Sequence, residues 1–327
     1  VLRSETAASP DRMARALAGL RAYQAAVREK PADPKPATHR AGRVSLRDYG
    51  GEGRPVVFVP SLINPPEILD HTPQSSLVQW TAAQGFHSWL VDWGSPGSED
   101  RDLDLAAHVE RLLVPLLRAL PEPPVLVGYC LGGTLALGAA AITPVAGVAT
   151  IAAPWHFAGY GEDRPKLAAT WAAVQPAAAL LGLLPMEVLQ AGFWQLDPAR
   201  TIAKYEAFAD LAPDSAAALA FVRLEDWANA GAPLPYAAAA SLFEDCLAND
   251  LPGTGGWIIA GAQVDPLALA CPTLEFVSIS DRIVPAATAI GFADRRDLGA
   301  GHVGMIVGRS ARPRLWEPLA NWIAALD

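Results

Sequence analysis

Residues 124–141 read PVLVGYCLGGTLALGAAA, and this stretch decides the fold. PVLVGYC (124–130) is a continuous apolar run, the pattern of a strand buried on both faces. GGTLALGAAA (132–141) is a small-residue run of helical character. Where the two meet, Gly128-Tyr129-Cys130-Leu131-Gly132 spells G-x-C-x-G. That spacing is the context of a nucleophile elbow, with Cys where Ser is usual. A nucleophile at a strand-to-helix turn sits on a strained backbone, and bulky neighbours would collide with strand and helix. Glycines two residues before and two after remove those side chains. The helix N-terminus then favours a thiolate, and the Leu131 N–H is offered to an oxyanion. The competing reading is a small buried Cys in a glycine-rich turn.

Outward from the elbow, RVSLRDYG (43–50) alternates and suits an edge strand, and RPVVFVPS (54–61) reads as a second buried strand. SLVQWTAAQG (76–85) is helical and FHSWLVDWG (86–94) is another strand. DLAAHVERLLVPLLRAL (104–120) has helical spacing, with Asp104 as its N-cap. VAGVATIAAP (145–154) follows the elbow helix as a strand. This alternation predicts an α/β protein with a mostly parallel, doubly wound sheet. It stops over 155–265, which is Ala-rich helical material carrying Trp155, Trp171, Trp194, Trp227 and Trp257. These tryptophans read as core, with the lining of an acyl or polymer channel as the alternative. Strand patterns resume at PTLEFVSIS (272–280) and ADRRDLGAG (293–301), and ARPRLWEPLANWIAALD (311–327) closes the chain as a helix. The expected organisation is an N-terminal helix and Pro-rich linker (1–40, with PADPKPAT at 31–38), a sheet core (41–154 and 266–327) and an inserted helical cap (155–265).

The 327 residues are 51% hydrophobic with 10 Trp and 9 Phe, which excludes a disordered chain. A net charge of −9 without a basic run argues against nucleic acid or an anionic membrane surface as partner. Residues 1–30 carry Arg3, Glu5, Asp11, Arg12 and Arg15, so they are not a signal peptide. The uncharged stretches 123–161 and 167–186 are interrupted, the first by Gly132-Gly133, Pro144 and Pro154, the second by Gln175-Pro176. They read as the buried centre of an α/β protein, not as integral membrane spans. Cys130, Cys246 and Cys271 have no metal-ligand spacing and cannot all pair, which suits a reducing cytoplasm. Without a metal cluster, a Walker loop or a dinucleotide fingerprint, no cofactor is expected.

A thiol nucleophile needs a base oriented by an acid, in the chain order nucleophile, acid, His. Of six histidines, His39 falls in the linker, His87 in a strand and His108 in a helix, while His71 follows the first strand's loop and His156 opens the cap. His302, in Gly299-Ala300-Gly301-His302-Val303-Gly304, follows the last strand, where the base belongs. Asp281 ends the preceding strand and is the expected acid, ahead of Asp265, Asp294 and Asp297. The second oxyanion donor should come from VPSLIN (59–64), with the Leu62 N–H first and Ile63 next.

SLINPPEILD (61–70), SLVQW (76–80), LVDWGSPG (90–97), GYCLGGT (128–134), SDRIVP (280–285) and GHVGMIVG (301–308) occur in this order. Together they resemble the catalytic region of polyhydroxyalkanoate synthases, and most of all the short two-component class, within the α/β-hydrolase superfamily. The resemblance runs from about residue 55 onward and implies an α/β-hydrolase fold. It implies that Cys130 holds the growing chain as a thioester, that His302 activates thiol and incoming hydroxyl, and that Asp281 assists. The implied substrate is a 3-hydroxyacyl-coenzyme A, and the implied location is cytoplasmic or at a polymer granule. The cap (155–265) does not match the family's pattern residue by residue. A partner subunit is not visible in the sequence, and self-association through the apolar cap is an expectation of its own. Two alternatives stay open: an esterase, thioesterase or polyester depolymerase using the same triad, and a non-catalytic granule-associated protein.

Overall fold

The computed structural model describes residues 2–29 and 33–326. The expectations for Val1, for Lys30 to Ala32 at the helix–linker junction and for Asp327 lie outside them. Packing divides the chain into two compact units, Pro34–Pro185 with Ala232–Asp327, and Val1–Asp33 with Met186–Gly231.

The larger unit is built on an eight-stranded sheet of β1 (Ala37–Ala41), β2 (Val44–Asp48), β3 (Pro55–Val59), β4 (His87–Asp92), β5 (Val125–Tyr129), β6 (Gly147–Ile151), β7 (Thr273–Ser278) and β8 (Arg295–Leu298). Their spatial order is β1-β2-β4-β3-β5-β6-β7-β8. β1–β2 and β2–β4 pair antiparallel, and every other neighbouring pair is parallel. The apolar runs sit where they must, since β3, β5 and β6 are buried along their whole length. Val56, Val57, Phe58 and Val59 are fully enclosed, each contributing about 1.5–3 kcal/mol relative to exposure. One expectation is corrected. RVSLRDYG is not the edge, because residues 37–41, assigned in part to the linker, form a further strand that pairs with it through the Gly42 turn.

Among the described residues, the α-helices of seven residues or more are α1 (Pro10–Ala25), α2 (Leu77–Ala83), α3 (Leu131–Ile142), α4 (Asp163–Leu181), α5 (Met186–Leu196), α6 (Pro198–Phe208), α7 (Ala216–Asn229) and α8 (Glu317–Ala324). Asp104 caps the irregular helix over 105–118, accepting the Ala107 N–H at 2.7 Å, as its place before the apolar repeat predicts. A second correction concerns Gln175-Pro176, which does not break the chain, since α4 runs through it. Pro176 removes the bond to the Ala172 carbonyl, but both residues lie on the exposed face, where the carbonyl is open to solvent. Trp155, Trp171 and Trp257 are buried, as a core role requires, whereas Trp194 is exposed. Among the described residues no helix is long and apolar enough to cross a membrane.

In the smaller unit, α1 packs along α6, close enough that a side chain at Gly19 would overlap the Tyr205 carbonyl. Arg12 grips Glu206 through two bonds (3.0 and 3.1 Å), and the Tyr23 hydroxyl donates to Asp226 at 2.6 Å. The material expected as one cap is therefore shared, with 186–231 joining the N-terminal helix and the rest joining the sheet.

Candidate active site

The elbow is as tight as its glycines suggest. Cys130 takes φ 55°, ψ −135° between β5 and α3, a conformation costing a non-glycine residue on the order of 1–3 kcal/mol. It is held by its own N–H donating to the Ile151 carbonyl (2.9 Å) and its carbonyl accepting from Gly133 (2.8 Å). A Cβ at Gly128 would overlap Gly133, one at Gly132 the carbonyls of Val59 and Pro60, and one at Gly133 the Ala153 side chain. These three positions admit no side chain because strand, helix and the β3 and β6 ends converge there.

The sheet brings the other two expected residues to the same end. Asp281 follows β7 and His302 follows β8, both largely buried. His302 Nδ1 lies 2.6 Å from Asp281 Oδ2, and the imidazole is under the electrostatic influence of both Cys130 and Asp281. Asp281 Oδ1 accepts from the N–H groups of Ile283 (2.7 Å) and Val284 (3.1 Å), which fixes the carboxylate's orientation. Desolvation is the largest influence on His302 and lowers its pKa. The charges of Cys130 and Asp281 and the bond to Asp281 outweigh it, so the net direction is upward. The arrangement can hold a thiolate–imidazolium pair oriented by a carboxylate.

Several supports were not singled out from the sequence. The Tyr129 ring stacks on the His302 ring, centroids 4.9 Å apart at 30°, and its hydroxyl donates to the His302 carbonyl at 3.3 Å. Ser278 and Ser280 donate to the carbonyls of Ala300 and Gly299, tying the acid loop to the base loop. The alternating Ser278-Ile279-Ser280 before Asp281 was the available signal, whereas nothing in the sequence aligns Tyr129 with His302.

The oxyanion candidates are also separated. Leu131 is the first residue of α3, so its N–H has no acceptor within the helix. The Ile63 N–H is already engaged by Ser61 Oγ at 3.2 Å, which favours Leu62 within that loop. The rival acids have other partners: Asp265 caps the turn at 266–268, Asp294 faces Arg296 and Asp297 faces Arg295. Cys246 is buried, with desolvation as the largest cause pushing its thiol pKa up, and burial raises that of Cys271 as well. No cluster of three metal-ligating side chains occurs among the described residues.

A strand-order reversal around β3 and β4, a tight turn after β5 and an acid and histidine after β7 and β8 define a class. The model of the Alpha/beta hydrolase family matches residues 56–314, and the chain belongs to that family. Within it, the resemblance to polyhydroxyalkanoate synthases is borne out. The chain is 29% identical over 317 residues to the poly(3-hydroxyalkanoate) polymerase subunit PhaC of Haloferax mediterranei, across 89% of this chain and 64% of that protein. It therefore spans just under two thirds of that relative's length. It is 27% identical to the subunit of the same name from Allochromatium vinosum, across 89% of this chain and 88% of that one. Among solved structures, a monoacylglycerol lipase from Paleococcus ferrophilus superposes with a TM-score of 0.54 at 15% identity, covering 87% and 99% of the two chains, which is a likeness of fold.

Proposed function

We propose that this chain is an acyltransferase of the polyhydroxyalkanoate synthase type, moving 3-hydroxyacyl groups from coenzyme A thioesters through a thioester on Cys130. The observation that carries the reading is the pairing of His302 with the doubly anchored Asp281 at the same end of a parallel sheet as the strained Cys130 elbow, with the charges of Cys130 and Asp281 both acting on His302. His302 takes the thiol proton. The sulfur attacks the thioester carbonyl, and the oxyanion is received by the N–H groups of Leu131 and Leu62. On collapse the carbon–sulfur bond to coenzyme A breaks, and His302 returns the proton to the leaving thiolate. His302 then takes the proton of an incoming hydroxyl, whose oxygen attacks the Cys130 thioester, and the freed Cys130 sulfur recovers the proton. The relatives' names, polymerase subunits for poly(3-hydroxyalkanoate), support the substrate class. The same reading places the enzyme in the cytoplasm or at a polymer granule. It carries self-association through 155–265 and a partner subunit as further proposals, and a single monomeric species at all concentrations in sedimentation would remove the former.

The test is incubation with 3-hydroxybutyryl-coenzyme A, alone and with a hydroxyacyl primer, followed by intact-mass analysis and product sizing. An acyl adduct on Cys130 and ester-linked oligomers are expected, and Cys130→Ala should give neither. Iodoacetamide should label Cys130 faster than Cys246 or Cys271. Free hydroxy acid as the only product would replace transfer with hydrolysis, and three equally reactive thiols with an active alanine variant would remove Cys130.

A further inference from the structure

The loop proposed to carry the second oxyanion donor is held from the side by a residue outside it. β4 runs parallel to β3 in the register Phe58↔Leu90, which brings Trp93, just past β4, alongside the residues that leave β3. Trp93 is buried, and its indole N–H donates to the Pro60 carbonyl at 2.9 Å. The surroundings fix the indole in that place. Gly94 follows at φ 63°, its N–H donating to Asp92 Oδ1 at 3.0 Å, so the backbone turns directly after Trp93. The Trp93 ring packs edge-on against His108, centroids 6.1 Å apart at 67°. His108 is itself anchored, donating from Nδ1 to the Asp104 carbonyl at 2.6 Å and accepting at Nε2 from Arg43 at 2.7 Å.

The Pro60 carbonyl meets the elbow as well as the indole. A Cβ at Gly132, two residues after Cys130, would overlap it and the Val59 carbonyl, so the chain leaving β3 lies directly on the first turn of α3. Beyond Pro60 the loop has one more anchor, Ser61 Oγ accepting from the Ile63 N–H at 3.2 Å. Between the two anchors lies Leu62, 6% exposed, whose N–H meets no acceptor among the described residues. A buried N–H without a partner is costly, and an acceptor that arrives with the substrate accounts for one beside a nucleophile. The Leu62 N–H lies one peptide plane beyond the Pro60 carbonyl, so rotation of the Pro60–Ser61 peptide would swing it away. We infer that Trp93 is a positioning residue for the oxyanion hole: its indole N–H fixes the Pro60–Ser61 peptide and thereby aims the Leu62 N–H at the carbonyl oxygen of the thioester that Cys130 attacks. The inference rests on the thioester chemistry proposed above.

The experiment compares two reactions of the same sulfur in the whole chain, both read by peptide mass at Cys130: acylation by 3-hydroxybutyryl-coenzyme A and alkylation by iodoacetamide. Acylation passes through an oxyanion, whereas alkylation displaces iodide in one step and forms none. Trp93→Phe keeps a ring against His108 and removes the N–H. Loss of a whole oxyanion donor costs about 10²–10³ in rate, and a donor present but loosely aimed should cost part of that, about 10- to 100-fold in the limiting acylation rate, with the half-saturating concentration unchanged. Alkylation reads only the thiolate and should stay within about threefold of wild type. Should Trp93→Phe fail to fold, benzothienylalanine at position 93 keeps the indole's shape with sulfur in place of the N–H, and should show the same split. Acylation within about threefold of wild type, or acylation and alkylation falling together, would overturn the role of Trp93. A wild type that iodoacetamide alkylates at Cys130 but the thioester does not acylate would overturn the acyltransferase reading itself.

Discussion

Asp281→Asn exchanges one oxygen for an NH2 group and should nearly silence the site. Asp281 Oδ1 is fixed by two backbone donors, at 2.7 and 3.1 Å, and only an oxygen can stay there. The new amide nitrogen must therefore face His302 Nδ1, where Oδ2 now lies at 2.6 Å. Two donors cannot share that line, so the imidazole moves its proton to the other nitrogen. The nitrogen facing Cys130 is then occupied and cannot take the thiol proton. The variant also removes one of the charges that keep His302 raised against its desolvation. In Ser-His-Asp enzymes the same exchange costs about 10⁴ in kcat, about 5 kcal/mol. A thiol needs its base less than a hydroxyl does, so the loss expected here is about 10²–10³, or about 3–4 kcal/mol. Rapid-quench measurement of Cys130 acylation by 3-hydroxybutyryl-coenzyme A reads this step directly. A rate within about fivefold of wild type, or a loss confined to KM, would refute the orientation argument.

Gly132→Ala places a Cβ on the carbonyls of Val59 and Pro60, and should cost about 3 kcal/mol in denaturant unfolding; Gly301→Ala, with nothing within 4 Å, should stay within about 0.5 kcal/mol. Tyr129→Phe loses only the bond to the His302 carbonyl and should lower kcat about three- to tenfold, while Tyr129→Leu also loses the stacked ring and should lower it further. His108 is buried, donating from Nδ1 to the Asp104 carbonyl and accepting at Nε2 from Arg43, which also pairs with Asp100. Desolvation is the main cause that lowers its pKa, to about 4. The unfolded chain binds that proton first, so His108 should leave stability flat above pH ~6.5 and erode it as pH falls toward 4, by about 3 kcal/mol in all. Urea titrations of wild type and His108→Gln at pH 7 and pH 5 should show the extra acid loss in wild type alone.

What the sequence exposes is whatever local chemistry controls. The elbow was legible because backbone crowding at Gly128, Gly132 and Gly133 acts between residues close in sequence or against strand ends fixed by the sheet. The central strands were legible because burial on both faces leaves no polar position in β3 or β5. The edge was misplaced because β1, ATHRA, has no apolar pattern of its own and is a strand only through its partner β2. Pro176 was misread because proline's cost depends on whether the orphaned carbonyl meets water, which the sequence does not state. The grip of α1 on α6 and α7 was hidden for a different reason. It rests on Arg12–Glu206 and Tyr23–Asp226, pairs some two hundred residues apart that carry no local signature.

The thiol at the elbow bears on why the proposed chemistry ends in transfer. Exchange of a coenzyme A thioester for a Cys130 thioester leaves the acyl group as activated as it arrived, whereas a serine would have lost that activation in an oxygen ester. What consumes the activation then depends on which hydroxyl reaches His302. His302 and Asp281 each keep only 9% of their surface, and Cys130 is half-buried. The proposed base and nucleophile thus share little open space, and in the proposed reaction an acceptor must occupy ground that coenzyme A has left. Water needs no such room, so enclosure alone cannot favour an alcohol over it. An incoming 3-hydroxyacyl group can gain what water cannot, binding contacts along its chain that hold its hydroxyl at the base. On this account selectivity for transfer resides in the groups that bind the acceptor's chain, not in the triad that activates it.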